Sequence, residues 1–410
     1  MIRIKYIYVT SREYTSAVYQ TQVIDWLNLF REKGLDFDLW HVFYRAVHAS
    51  SNLAQYRASQ IKQIRNAYQG ETKEIYLMPV KLVRLNQFVF YRLIRRYYKD
   101  YDKIVIFSRD DIGYEIEYLK KKMGERIVYY FDLRGAVAEE RLLLLRNKKE
   151  FSLEKFRKIA DTAYSEYHRQ KLANKIFAVS NALQRYYISN YDTDKSKFVL
   201  YPCLSSSAKF YYDTTVRRDM RNQLGFAETD DVYIYSGGLT NSWHIPDSFL
   251  TLFSEIARKD ADARLLVISP KLTEAIKRII ESSETLKKRV VLKEAIPNHE
   301  VFKYLNASDF GILLRENNPV NNVAFPSKYA EYMLCGLPTI VSEAIYDCAD
   351  FCKKYNCGYV MPNSLLSHME DFSPLRKDAF DRNAIAAAGK QFLSKEASID
   401  RIVNELKIKG

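Results

Sequence analysis

The chain has 410 residues, with 63 Lys and Arg against 50 Asp and Glu for a net charge of +13, and 47% of it is apolar. That length exceeds one average core and suits two α/β domains, while the apolar share, with no Pro- or Gly-rich tract, excludes a disordered chain. Five cysteines set out no disulfide framework, so a reducing cytoplasm is the expected location, and no run of about 18 apolar residues offers a membrane span.

The charge is uneven. Residues 1–200 hold 36 Lys and Arg against 23 Asp and Glu, whereas residues 201–410 hold 27 of each. An anionic partner for the first half is one reading: an acidic lipid surface, a phosphorylated acceptor or a nucleic acid. The other is a coding bias toward Lys, Ile and Tyr with no purpose.

Met1–Thr10 alternates as a first strand and lacks the long apolar core of a signal peptide. Further strands are expected at Phe37–Phe43, Glu74–Pro79, Lys103–Ser108, Arg126–Phe131 and Lys175–Ser180, with helices between them, as over Ala17–Lys33. This is the doubly wound pattern, whose ligands gather at strand ends. Two such ends carry charge: Ser108–Arg109–Asp110, and Asp132–Leu133–Arg134–Gly135. The second can put a carboxylate and a guanidinium into a cleft, or can be an ion pair bracing a turn.

Lys81–Lys99 is a basic amphipathic helix. Leu82, Leu85, Val89, Leu93 and Tyr97 share one face, and Arg84, Arg92, Arg95, Arg96 and Lys99 lie largely on others. Such a helix can lie in a membrane interface or pack on the sheet. Residues 141–173 read as a long, charged helical stretch, and Phe198–Phe210 as the interdomain linker. Domains are thus expected over 1–200 and 201–383, with a helical tail over 384–410.

The second half restarts with a strand, Val232–Ser236, running into Gly237–Gly238–Leu239–Thr240. Glycines after a strand let a backbone approach a phosphate, although the full dinucleotide fingerprint is missing. Strands at Arg264–Ser269 and Arg289–Lys293 follow, and the loop Glu294–Pro297 stands where such folds cradle a base. Next, Asp309–Leu314 reads as a strand that breaks into Arg315 and a polar loop. Ser327 is the expected N-cap of a short helix, Gly336 and Pro338 its stop, and Pro338–Ser342 a buried strand. A helix start aimed into that loop favours an anion, with Arg315 and Lys328 adding positive charge. Glu331 is an acceptor-only group suited to vicinal hydroxyls. A diphosphate next to a ribose needs that set, although a Lys and a Glu on a first turn are often merely solvated.

The stretch from Arg315 to Pro338 resembles the donor-binding segment of retaining glycosyltransferases of family 4, enzymes of the two-Rossmann-domain architecture called GT-B. Glu331, Gly336 and Pro338 match the second half of that segment; the glutamate eight positions earlier in the pattern is replaced by Val323. Asp132–Gly135 is similar to a cleft-facing strand end of these enzymes. The Gly-Gly turn that many relatives place between Thr10 and Ala17 is absent, and Asn241, Ser242, Trp243 and His244 stand where an Arg and a Lys are usual.

The resemblance implies a hexosyltransferase that moves a sugar from a nucleotide-diphosphate sugar, with retention and without a metal or other cofactor. The acceptor would be a glycan or polyprenyl-linked hydroxyl in cell-surface polysaccharide synthesis. Asp132 and Arg134 would be catalytic, while Gly237, Gly238, Arg315, Ser327, Lys328 and Glu331 would bind the donor. Arg92, Arg95, Arg96 and Arg109 would face the acceptor or the inner leaflet of the membrane. Cys348, Cys352 and Cys357 match no common zinc spacing. An epimerase or phosphorylase of the same fold, and a non-enzymatic nucleic-acid or membrane binder using the basic half, are the alternatives; no compact nucleic-acid module is recognisable.

Overall fold

The computed structural model describes residues 2–11, 19–44, 51–79, 81–109, 111–148, 151–239 and 246–408. Runs of β-branched and aromatic residues form thirteen strands among them, in two wholly parallel sheets. The first sheet comprises β1 (Ile4–Thr10), β2 (Phe37–Tyr44), β3 (Thr72–Leu77), β4 (Lys103–Ser108), β5 (Ile127–Leu133), β6 (Lys175–Ala178) and β7 (Phe198–Leu200), in the order 3-2-1-4-5-6-7. The second comprises β8 (Asp231–Ser236), β9 (Ala263–Ser269), β10 (Val290–Glu294), β11 (Phe310–Leu313), β12 (Thr339–Ser342) and β13 (Gly358–Met361), in the order 10-9-8-11-12-13. Each order reverses beside its first strand, which puts a topological switch point between β1 and β4 and another between β8 and β11.

Helices α1 (Asp25–Glu32), α2 (Ser51–Ala67), α3 (Val83–Tyr98), α4 (Gly113–Met123), α5 (Val137–Lys148), α6 (Leu153–Leu172) and α7 (Asn181–Tyr191) belong to the first domain. The second holds α8 (Thr214–Leu224), α9 (Pro246–Lys259), α10 (Glu274–Glu281), α11 (Glu284–Arg289), α12 (Val301–Ala307), α13 (Pro319–Asn322), α14 (Ser327–Leu334) and α15 (Tyr346–Tyr355), and the tail forms α16 (Arg382–Leu393) and α17 (Lys395–Leu406). Ser and Asp side chains cap many of them: Ser180 accepts from the Leu183 N–H, Asp213 from Thr215 and Val216, and Ser394 from Ala397.

Two expectations are corrected and a third gains detail. The first residues of the supposed linker, Phe198–Leu200, form the edge strand β7, paired with β6 from Ile176↔Phe198 onward. The helical stretch 141–173 comprises the end of α5 and all of α6, packed as a hairpin in which Arg141 bonds the Lys158 carbonyl and the Thr162 hydroxyl. On α3 the buried face is Asn86, Phe90, Ile94 and Tyr98, whereas Leu82, Leu85, Phe88 and Tyr97 are exposed. The reason is polar. The Asn86 amide closes bonds with the Met78 backbone, and the Tyr98 hydroxyl donates to Asp38 and accepts from the Trp40 indole.

The strand ends of the two sheets meet. Ser180, just after β6, donates its hydroxyl to the Val323 carbonyl, beyond the end of β11, at 2.6 Å. Asp347 of α15 accepts the main-chain N–H groups of Asn181 and Ala182 at 2.7 and 2.9 Å, so a carboxylate of one domain caps α7 of the other. The tail then crosses back. The residues around Ser394 run beside the interdomain connection through a Ser205↔Ser394 bridge, and α17 packs on α1. There the buried Lys395 donates to the Thr21 carbonyl, lies 3.3 Å from Asp25, and faces the Trp26 ring at 5.8 Å.

Candidate active site

At the C-terminal edge of the first sheet, β1, β4 and β5 deliver a polar cluster into an aromatic setting. Tyr8 donates its hydroxyl to Asp132 Oδ2 at 2.7 Å, Arg109 donates Nε to the same oxygen at 3.0 Å, and Arg134 Nε lies 2.7 Å from Oδ1. Arg134 stacks over the Tyr201 ring at 4.5 Å, and Arg109 also reaches the Gln22 carbonyl. Burial works to raise the Asp132 carboxyl, but the two guanidiniums and the bonds from Tyr8 and Arg109 outweigh it and hold it below the usual carboxylate value.

Asp132 is thus wholly buried with both oxygens engaged, the ion-pair alternative of the two that its position leaves open. A carboxylate so placed fixes two guanidiniums and the strand end. Arg109 belongs to this buried cluster and not with Arg92, Arg95 and Arg96, which are exposed on α3 with their guanidiniums over Phe88, Tyr91 and Tyr97. Asp110, like most of the 10–17 loop and residues 240–244, lies outside the described residues.

The second domain builds the opposite edge around α14. This helix is capped by Pro326, with Ser327 as its first residue, so the Ser327 hydroxyl does not close its start as expected. Its end is as anticipated. Gly336 takes a left-handed φ of 61°, its N–H bonds the Met333 carbonyl, and the Leu337 N–H bonds Tyr332. On the first turn Lys328 Nζ stands 3.1 Å from Glu331 Oε2, which joins the two expected donor groups. Glu331 is buried and Lys328 half-buried. Arg315 leaves the end of β11 with its N–H bonded to the Ser342 hydroxyl, and burial presses its guanidinium down to about 10. Gly237 and Gly238 follow β8, where Gly237 N–H bonds the Ile268 carbonyl and the Gly238 carbonyl accepts the Tyr235 hydroxyl. Val323, in place of the expected first glutamate, is buried core whose carbonyl belongs to the domain joint.

Several positioning residues escape a sequence reading. The Tyr332 hydroxyl accepts the Ser236 N–H at the end of β8, and its ring fits only because β11 carries Gly311: a Cβ there would stand 2.6 Å from the ring. That strand-interior glycine was the available signal. Arg382 of α16 donates to the Cys335, Gly336 and Ser308 carbonyls, closing the C-terminal end of α14, and Gly389 lets α16 meet the Met333 backbone. α14 is therefore held through its C-terminal half, at Tyr332, Met333 and the carbonyls of Cys335 and Gly336.

Comparison with known proteins agrees with this geometry. Residues 216–373 match the family described as Glycosyl transferases group 1, so the second domain is a domain of that kind. A search of curated proteins finds no match. Among solved structures, the chain resembles HepE of Anabaena in complex with UDP, at 14% identity and a TM-score of 0.67 over 98% of this chain and 99% of that one. It also resembles sucrose-phosphate synthase of Thermosynechococcus elongatus, at 13% identity and 0.63 over 98% of each chain. A third likeness is to WaaG, a glycosyltransferase involved in lipopolysaccharide biosynthesis, at 11% and 0.61 over 98% of this chain and all of that one. The fold is that of the GT-B glycosyltransferases.

Proposed function

We propose that this chain is a retaining glycosyltransferase that takes a sugar from a nucleotide-diphosphate sugar, without a metal, to a hydroxyl of a glycan or lipid-linked acceptor in cell-surface polysaccharide synthesis. The observation that carries the reading is the first turn of α14, where Lys328 and Glu331 stand together within the matched domain and beyond the β11 end that carries Arg315. Glu331 accepts the ribose hydroxyls. Lys328, Arg315, the free N–H groups at the helix start and the backbone at Gly237–Gly238 take the diphosphate, placing positive charge where the leaving group gains negative charge. Asp132 and Arg134 act on the acceptor side of the cleft, where the ion pairs of Asp132 support a positioning role.

HepE has been solved with UDP, with UDP and glucose, and with UDP-glucose, which makes a uridine nucleotide the first donor to try. The exposed arginines and aromatic rings of α3 supply an electrostatic and interfacial contact for the inner face of a membrane. No helix among the described residues is long and apolar enough to cross one.

Thermal unfolding with UDP-, GDP-, ADP- and CMP-linked sugars tests the donor site, since a ligand that binds only the folded state raises the midpoint. One nucleotide class should stabilise the wild type and lose most of that effect in Glu331→Ala. An equal shift in the variant removes Glu331 from the site, and no shift with any donor removes the enzyme reading.

A further inference from the structure

Among the described residues, the α5–α6 hairpin stands apart from the packed helices. Of the described residues from Glu139 to Ser165, none is buried, although the stretch contains Leu142, Leu143, Leu144, Leu145, Phe151, Leu153, Phe156 and Ile159. Leu153 is 90% exposed and Phe151 60%, and the Phe151 ring stacks on Phe156 in the open.

The base of the hairpin is fixed at the cleft edge. Glu166 accepts the Val137 N–H at 2.9 Å and the Tyr187 hydroxyl at 2.8 Å, and Arg169 packs over the Phe131 ring and donates to the Arg109 carbonyl. Residue 169 is therefore level with the end of β4, while Leu172, whose carbonyl binds Lys120 on the body of α4, lies below it. From residue 169 back to Leu153, α6 runs beyond the sheet for about 24 Å at roughly 1.5 Å per residue. Near its base α5 packs against α13 of the second domain, so the hairpin stands on the lip of the cleft.

Two properties of the tip decide its occupant. The exposed side chains of Leu153 and Phe156 on α6, with Phe151 just before its start, favour transfer out of water. The described residues 146–148 and 151–158 also carry five Lys and Arg against one Glu, a net +4. Two copies of such a tip repel each other, whereas an anionic bilayer surface attracts both its charge and its rings.

We propose that the tip of the α5–α6 hairpin, centred on Phe151, Leu153 and Phe156, inserts into the interfacial layer of an anionic membrane and stands the cleft over that surface. This rests on the proposed lipid-facing acceptor reaction only for its purpose; the contact itself is read from the hairpin. It differs from the α3 contact, which lies on a helix packed against the sheet.

The test is co-sedimentation of the full chain with vesicles of phosphatidylcholine alone and of equal parts phosphatidylcholine and phosphatidylglycerol, using wild type, a Leu153→Asp/Phe156→Asp variant and an Arg92→Glu/Arg95→Glu/Arg96→Glu variant. Wild type should bind the phosphatidylglycerol vesicles and fall off as salt rises, and the tip variant should partition roughly tenfold less or worse. Unchanged binding of the tip variant, or loss only in the α3 variant, overturns the proposal. So does a wild-type dimer that the tip variant makes monomeric while vesicle binding stays the same, since the occupant would then be a second copy. Nucleotide-sugar stabilisation, measured on the same variants, should be unaffected by the tip, so failure of the donor reading shows as loss in every protein and is distinguishable from failure at the membrane.

Discussion

α14 and the α5–α6 hairpin border one cleft and are packed in opposite ways. In α14 six of eight residues are buried, Glu331 among them, and the C-terminal end is fixed by Arg382 of α16. In the hairpin a longer stretch with eight large apolar side chains leaves all its described residues between Glu139 and Ser165 half-buried or exposed. Hydrophobic content therefore does not decide which helix is core; the presence of a covering element does. A site that must hold a phosphate and a ribose to within fractions of an ångström needs the first kind of support, whereas a surface that meets a deformable partner needs the second.

The largest expected effect lies at the α14–α16 contact. A Cβ at Gly389 would stand 2.6 Å from the Met333 carbonyl carbon, with backbone on both sides of the clash. Gly389→Ala should lower stability by about 3 kcal/mol in urea unfolding and weaken donor-induced stabilisation with it, since relief requires α14 to move. A loss below about 1 kcal/mol would mean that α14 is held less firmly than its contacts indicate.

An intermediate effect concerns the tail. Burial presses Lys395 down from 10.5 to about 8, against the pull of Asp25. Between those two values the unfolded chain holds a proton that the folded one has released, so this residue makes stability rise with pH across that window; below pH 8 its buried charge is a cost. Lys395→Met should flatten the rise by on the order of 2 kcal/mol, seen by comparing urea midpoints at pH 7.5 and 10. An identical slope in both proteins would place the lysine in contact with water.

The smallest effect is expected at the hairpin. Leu153→Asp should change stability by less than about 0.5 kcal/mol, because the side chain leaves nothing behind when removed. A loss comparable with that at Gly389 would show that the tip is packed after all and erase the contrast.

Much of this was legible in the sequence. The apolar runs gave eleven of the thirteen strands, and Gly336 with Pro338 marked the end of α14. β7 was hidden because it is three residues long and starts a segment whose proline and serines read as linker. The buried face of α3 was misplaced because Asn86 and Tyr98 satisfy their polar atoms inside, which hydrophobic spacing cannot register. The pairing of Lys328 with Glu331 follows from helical spacing, whereas the closure of Asp132 by Tyr8, Arg109 and Arg134 needs residues from three strands and the interdomain connection. Spacing along the chain carries no trace of that encounter.

The return of α17 to the first domain has a consequence for the order of synthesis. Ile399, Ile402, Val403 and Leu406 complete a core that begins with β1, and Lys33, Lys175 and Asp25 find their partners in Asp400, Glu405 and Lys395. A ribosome delivers those partners only after the second domain. The first domain is therefore completed after the second has emerged, and until α17 is released its α1 face waits uncovered.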